Sequence, residues 1–329
     1  MNPSLLCCPV CGKPLTFDDK SARCPKGHSF DRAARGGYIH LLRQHRRGSA
    51  DPGDSAEMCQ ARTRFLSGGW YAPLRAQVAA LAVALSPADI LDAGCGEGWY
   101  TRAVLDALPG ARLAGIDLSR YALRHAGRTC PEADFAIASL FDLPLADQSV
   151  DLVLHLFAPM CAPEFARVLR PGGTLLTVTP GARHLWGMKE VLYERPYENP
   201  TAVRELSGFS CVREIRVEDM ITLTEPADIA ALYHMTPYAW KTPRQAAERL
   251  LHLDTLTTEI AFQILISQLK FLYPLKTLVF PAFSPPRFGP FPSFFPLREE
   301  MRETFFQAGP TTLSSSLAEV RLASLVAWA

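Results

Sequence analysis

Two patterns in the chain predict an α/β protein with a doubly wound sheet and a small metal-held module in front of it. Near the N-terminus stands the run C-P-V-C-(x12)-C-P-K-G-H. From residue 89 onward, short strands and helices alternate around a glycine loop, as in a sheet wound through βαβ units. At 329 residues the chain holds one such domain with one or two small modules. A hydrophobic content of 48% is ordinary for a globular protein and excludes a disordered one.

In the first pattern Cys8 and Cys11 form one close pair, and Cys24 and His28 the other. Tetrahedral zinc needs four soft or borderline donors, and each short pair lets one tight turn present two of them. Cys7 is a neighbour, but Cys8 keeps the two-residue gap. Residues 5–34 therefore read as a zinc ribbon with short strands and two knuckles. So small a segment cannot bury a core of its own, and the metal is the expected source of its stability. Four protein ligands fill the coordination shell, so the site is structural rather than catalytic. Thiolate ligands need a reducing compartment, which predicts the cytoplasm. The remaining cysteines (Cys59, Cys95, Cys130, Cys161 and Cys211) have no paired spacing and read as reduced thiols. No secretory signal precedes Cys7 and no apolar run reaches transmembrane length, so no membrane partner is expected.

The net charge of +1 hides an asymmetry. Residues 1–50 carry nine Lys or Arg against three Asp, a local +6, which leaves −5 for the rest. A basic module on a slightly acidic body predicts contact with a polyanion. The densest stretch holds Arg43, Arg46 and Arg47, the expected RNA contacts.

The elements follow in order. Asp54 or Ser55 is placed to cap a helix over 56–66, which Gly68 and Gly69 end. A second helix covers 73–85. A strand at 89–93 leads into the glycine loop, and a helix at 98–108 leaves it. A strand at 111–116 and a helix at 119–127 come next. Strands at 133–138 and 150–155 are separated by the loop Leu143-Pro144-Leu145. A helix at 163–169, the turn Pro171-Gly172-Gly173 and a β-branched strand at 174–179 complete a parallel sheet. Further on, a strand at 209–217, a helix at 226–234 and a strand at 259–266 are expected. The last 62 residues hold nine of the 18 Phe and eight of the 27 Pro. Proline at that density defeats both helix and ladder, and no function attaches to the segment.

The chemistry centres on Asp92-Ala93-Gly94-Cys95-Gly96-Glu97-Gly98. The glycines allow a tight turn and close approach of a ligand to a helix N-terminus. Trp99 stands where a dinucleotide fingerprint has its third glycine, which argues against NAD. About twenty residues on, at the end of the second strand, Asp117 is placed to accept both hydroxyls of a ribose. Together these features resemble the Rossmann-like class I S-adenosylmethionine-dependent methyltransferases. That class places an Asp near the adenine amino group; here the position is Ser139, so adenine falls to backbone groups, Ser139 or Asp142. The loop after the fourth strand, with Phe157 and Pro159, lies at the carboxyl edge where such sheets bind ligands and is the candidate pocket for the methyl acceptor.

Ribbon, connector and core together resemble a narrow family, the bacterial 23S ribosomal RNA guanine-N1 methyltransferases of the RlmA type. The match is carried by C-P-V-C and C-P-K-G-H-S-F-D, G-Y-I-H-L-L, D-P-G-D-S-A-E-M-C-Q-A-R, W-Y-A-P-L, D-A-G-C-G-E-G-W-Y-T, F-A-P-M, L-R-P-G-G, T-P-G-A-R-H-L and M-T-P-Y-A-W. The resemblance covers residues 5–267. It implies that Cys8, Cys11, Cys24 and His28 bind zinc, that Gly96 and Glu97 line the cofactor loop, and that Tyr71 and His184 contact the cofactor. It also implies a 23S rRNA hairpin as substrate and a homodimer that cradles it. The division expected is a zinc ribbon at 1–36, a connector with helices at 37–86, the methyltransferase domain at 87–267 and an extension at 268–329. The general base is unassigned. A small-molecule methyltransferase and an inactive RNA-binding protein are the alternatives.

Overall fold

The computed structural model describes residues 4–34, 37–42, 53–201 and 205–270. Arg43, Arg46 and Arg47 lie outside the described residues, as do residues 271–329. In the ribbon, β1 (Thr16–Phe17), β2 (Ser21–Arg23) and β3 (Ser29–Asp31) form a three-stranded antiparallel sheet. Asp18 closes its first hairpin, one carboxylate oxygen accepting the amides of Lys20 at 2.8 Å and Ser21 at 2.6 Å. The next strand, β4 (Tyr38–His40), leaves the ribbon and joins the main sheet.

Ser55 caps α1 (Ala56–Ser67), its hydroxyl accepting the Met58 amide at 3.3 Å, and Gly68 ends the helix. Pro73 sits in the first turn of α2 (Ala72–Leu85), where its missing amide costs nothing. The alternating core follows: β5 (Asp89–Ala93), α3 (Trp99–Ala107), β6 (Arg112–Asp117), α4 (Arg120–Thr129), β7 (Asp134–Ile137), β8 (Val150–Leu156), α5 (Ala162–Val168) and β9 (Leu169–Pro180). Then come α6 (Trp186–Leu192), β10 (Phe209–Leu223), α7 (Pro226–His234), α8 (Tyr238–Lys241), α9 (Arg244–Leu251) and β11 (Leu256–Leu269).

The eight-stranded sheet runs β10-β11-β9-β8-β5-β6-β7-β4. The six strands from β9 to β4 run parallel through five neighbouring pairs, as expected for the five from β5 to β9, with β4 an unexpected addition. Beyond them the sheet turns antiparallel, in strands whose direction the sequence did not indicate: β11 pairs antiparallel with both β9 and β10. The β10–β11 ribbon stays in register from Phe209↔Leu269 to Leu223↔Leu256 apart from one bulge near Val212. Both strands outrun their sequence signals. Glu218, Asp219 and Met220 break the apolar pattern of β10, but as an edge strand it exposes them to solvent without penalty. The turn Pro171-Gly172-Gly173 lies inside β9, as a register shift against β8.

Apolar side chains fill both faces. Ile90 packs on one side of β5, Leu91 and Ala93 on the other. The second side is shared with the ribbon: Leu5, Leu6, Leu15, Ala22 and Ile39 join Ala136, Leu143 and Leu145 in one cluster. No helix among the described residues is long and apolar enough to cross a membrane.

At the edge opposite the strands' carboxyl ends, Asp89 staples the core. Its oxygens accept from Arg112 Nε at 2.6 Å and Arg170 Nη2 at 2.6 Å, and Arg170 Nη1 reaches Asp151 at 2.5 Å. Burial alone would raise the Asp89 carboxyl, but the two guanidinium groups hold it below the usual range. The folded state thus prefers the ion, and that stabilisation is complete above the unfolded carboxyl pKa of about 4. It disappears as pH falls through the lower folded value. Asp89→Asn is expected to cost about 1–3 kcal/mol at pH 7, with the gap to wild type closing below about pH 3 in urea titrations.

Candidate functional site

Each ligand pair of the ribbon sits in a turn closed by its own backbone, Gly12 N–H to Cys8 O at 2.8 Å and Gly27 N–H to Cys24 O at 2.9 Å. The four donor atoms of Cys8, Cys11, Cys24 and His28 lie within 4.8 Å of one another. Cys24 Sγ is 3.3 Å and Cys8 Sγ 3.5 Å from His28 Nδ1, and Cys11 Sγ is 3.6 Å from Cys24 Sγ. Sulfurs about 2.3 Å from a tetrahedral zinc stand about 3.8 Å apart, so the donor set fits that ion. None of the nine cysteines is joined in a disulfide.

A cavity of about 430 Å³ opens at the carboxyl ends of the parallel strands, within the roughly 300–1,000 Å³ usual for small-molecule sites. Its floor is the loop from β5 to α3. Gly94 (φ 85°) and Gly96 (φ 52°) have left-handed backbones, and a Cβ on Gly94 would lie 2.5 Å from that of Ala158. The Gly96 amide donates to Asp117 Oδ2 at 2.9 Å, and the Ser119 amide to Oδ1 at 2.8 Å. Gly98 stands behind the floor as the N-cap of α3 and does not line the cavity.

The cavity is acidic. Asp92 is buried, accepts from Thr101 Oγ1 at 2.6 Å, and is pushed up to about 7 by burial and by the charge of Asp117. Burial also raises Asp117 and Glu97. Arg62 lies between Glu97, at 3.2 Å, and Asp54; burial opposes its charge, but the two carboxylates outweigh it. Glu97 Oε1 and the Tyr100 hydroxyl line the cavity, are buried, and have no hydrogen-bond partner. Orphans of this kind in a cavity wall mark where a ligand bonds.

Tyr71 and His184 meet at the cavity wall. The Ala261 amide donates to His184 Nδ1 at 3.2 Å, so the ring proton is on Nε2. Nε2–H therefore donates to the Tyr71 oxygen at 3.1 Å, which leaves the Tyr71 hydrogen to be offered to a ligand. Burial and the charge of Lys189 push His184 down to about 3, which keeps the ring neutral. Behind it, buried Lys189 donates to Asn199 Oδ1 at 2.6 Å, and Asn199 Nδ2 reaches the carbonyls of Gly181 and His184.

Phe157 and Pro159 line the β8–β9 side of the cavity, with Pro180, Asn199 and Tyr238. Phe157 (φ 53°) and Leu185 (φ 58°) hold left-handed conformations there. For bulky residues this costs about 1–3 kcal/mol each, a strain that clusters at functional sites. Ser139 lines the opposite side beside Leu140 and Phe141, whereas Asp142 is exposed and absent from the wall. Arg62, Tyr100, Asn199 and Tyr238 escaped the sequence reading. Three of them stand in runs quoted above, C-Q-A-R, E-G-W-Y-T and M-T-P-Y-A-W, which was the available signal.

Comparison with known proteins places this geometry. A family described as "Methyltransferase domain" matches residues 90–173, and one described as "RlmA, N-terminal" matches residues 6–49. A 23S rRNA (guanine(748)-N(1))-methyltransferase from Streptomyces fradiae is 36% identical over 78% of this chain and 95% of the relative. Two relatives carry 23S rRNA (guanine-N(1)-)-methyltransferase as a provisional name. One, from Micromonospora griseorubida, is 37% identical over 79% of this chain and 97% of its own length. The other, YxjB from Bacillus subtilis, is 30% identical over 80% and 96%.

The chain's cofactors are S-adenosylmethionine and zinc. The cavity suits the former: Asp117 offers acceptors for a ribose, and the surrounding carboxylates complement a sulfonium and an ammonium. Asp117→Ala is expected to weaken S-adenosylmethionine binding about 10–100-fold in calorimetric titration with zinc content unchanged.

Proposed function

The chain belongs to the 23S rRNA (guanine-N1)-methyltransferases, and from that membership we propose that it methylates N1 of a guanine in a hairpin of 23S ribosomal RNA. The observation that carries the reading is one continuous cavity. It joins the Asp117–Gly96 floor to the neutral, aromatic wall of Phe157, Pro159 and Tyr238. One side suits a nucleoside cofactor and the other a flat, unpaired base. A ribosomal substrate also places the enzyme in the cytoplasm.

S-adenosylmethionine supplies a methyl group already activated on a sulfonium, so positioning dominates the catalytic task. Asp117 holds the ribose, Tyr71 donates its oriented hydroxyl, and Glu97 Oε1 is the acceptor for an ammonium. On the other side the target base leaves its stack, because N1 lies on the Watson–Crick edge. Phe157 provides a face for it, its ring held by packing against Tyr100 and Phe262. Transfer breaks the methyl–sulfur bond as the N1–C bond forms, leaving a neutral thioether, and the N1 proton passes to solvent water along the cavity mouth, no side chain being assigned as its base. The four carboxylates of the cavity stand on or against the loops of β5 and β6, and the β8–β9 side is lined by neutral groups. The basic stretch with Arg43, Arg46 and Arg47 grips phosphates, and two copies of the chain cradle the hairpin.

Reverse transcription of 23S rRNA treated with the enzyme is expected to stop at one guanine, since methylation of N1 blocks pairing. Unmodified rRNA alongside methylation of a small-molecule panel would overturn the assignment. Phe157→Ala should keep S-adenosylmethionine affinity within about twofold while methyl transfer falls about 10–100-fold. Replacing Arg43, Arg46 and Arg47 with Ala should weaken RNA binding and flatten its salt dependence by about 2–3 in log–log slope.

A further inference from the structure

The loop that carries Ser139, Leu140 and Phe141 into the cavity is bracketed by two backbone pairings, and the N-terminal module supplies both. On entry, β7 pairs in parallel with β4 through Tyr38↔Phe135, Ile39↔Ala136 and His40↔Ile137. The Leu41 amide continues the ladder to Ile137 O at 2.9 Å. On exit, the Cys7 amide donates to Pro144 O at 2.7 Å, and Leu6 forms an antiparallel bridge with Leu145. Cys7 directly precedes the zinc ligand Cys8. The same segment is held from behind by its own knuckle, Cys8 N–H to Lys13 O at 2.8 Å and Leu15 N–H to Leu6 O at 2.9 Å. It is therefore a middle strand between the metal knuckle and the cavity loop. Leu6 and Leu15 are fully buried in the cluster that also takes Leu143 and Leu145.

We propose that the zinc ribbon buttresses the cofactor site from behind: zinc occupancy positions the 139–145 loop and thereby sets the affinity for the adenosine part of S-adenosylmethionine. The proposal rests on the reading that the cavity binds that cofactor. Its physical basis is that the ribbon has no core of its own: Leu6 and Leu15 pack into the main cluster, but the backbone of Cys7 and the Cys8 knuckle beside them is fixed by the metal cross-link. Once that backbone disorders, the exit pairing of the loop is lost. The loop does not come free, because α5 still holds it. Glu164 Oε2 accepts the Leu143 amide at 2.7 Å, and Arg167 donates to Leu143 O at 3.0 Å and Leu145 O at 2.8 Å. The expected effect is thus a loosening, about tenfold in affinity, the size of one or two hydrogen bonds. Leu6 and Leu145 act as positioning residues, since neither lines the cavity.

The test is calorimetric titration of the full chain with S-adenosylmethionine and with 5′-methylthioadenosine, which keeps only the adenosine end. Zinc-loaded and chelator-treated chains are compared, and circular dichroism verifies that the core stays folded. Both ligands are expected to bind about tenfold more weakly without zinc and to recover when zinc is restored. Affinities within about twofold of each other in the two forms would overturn the proposal. Should chelation unfold the chain, Leu145→Ala and Leu6→Ala, with zinc content verified, replace it. They are expected to raise KM for S-adenosylmethionine about tenfold while kcat at saturating cofactor stays within about twofold. An unchanged KM, or a loss confined to kcat, would overturn it. If the zinc-loaded wild type binds neither ligand, the cofactor reading of the cavity falls first, and this proposal with it.

Discussion

Two backbone amides converge on the half-buried carboxylate of Asp117, and the shape of the cavity follows from them. The Gly96 amide reaches one oxygen and the Ser119 amide the other, so the glycine loop after β5 and the turn after β6 become one rigid floor. Burial disfavours the ion, and these amides offset that cost. Ser119 is tied twice more. Its hydroxyl caps α4 and donates to the Asp54 carbonyl at 2.8 Å, which draws the start of α1 over the site. A Cβ on Gly53 would lie 2.7 Å from the Ser119 amide, so only glycine lets that segment approach so closely. Floor, helix cap and lid segment thus share one anchor.

Around this anchor the charges are divided by task. Carboxylates gather on one side of the cavity, where Arg62 pairs with Asp54 and Glu97. The wall at β8 and β9 is neutral, and its two left-handed residues hold aromatic and aliphatic side chains against the cavity. The proton of His184 is placed by a strand amide rather than by a carboxylate, so Tyr71 is oriented without adding charge to the cavity wall. A site built this way works by holding two reactants in line, which suits a reaction whose electrophile arrives already activated.

The glycine loop, the four metal ligands and Asp117 were legible because each motif is local. A turn, a knuckle or a strand end carries its donors within a few residues, and spacing alone reveals it. Asn199, Lys189 and Tyr238 were not legible. They come from a loop, α6 and α8, and only the packing of those elements against the turn after β9 brings them together. The antiparallel edge was hidden for a related reason. Direction in a sheet depends on how a chain returns, and α7 to α9 lie between β10 and β11. The strand signal of β10 was also shortened by charged residues that an edge strand leaves in water.

Residue order by itself determined the zinc donor set, the βαβ alternation and the cofactor loop, because periodicity, turn chemistry and metal spacing act over one or two turns of chain. Only the tertiary structure decided that β4 would extend the main sheet, that Leu6 and Cys7 would pair with Pro144 and Leu145, and that Tyr71 would meet His184. Those contacts join residues far apart in the chain, and their energies depend on burial and on which backbone groups remain to be satisfied. No local pattern records them.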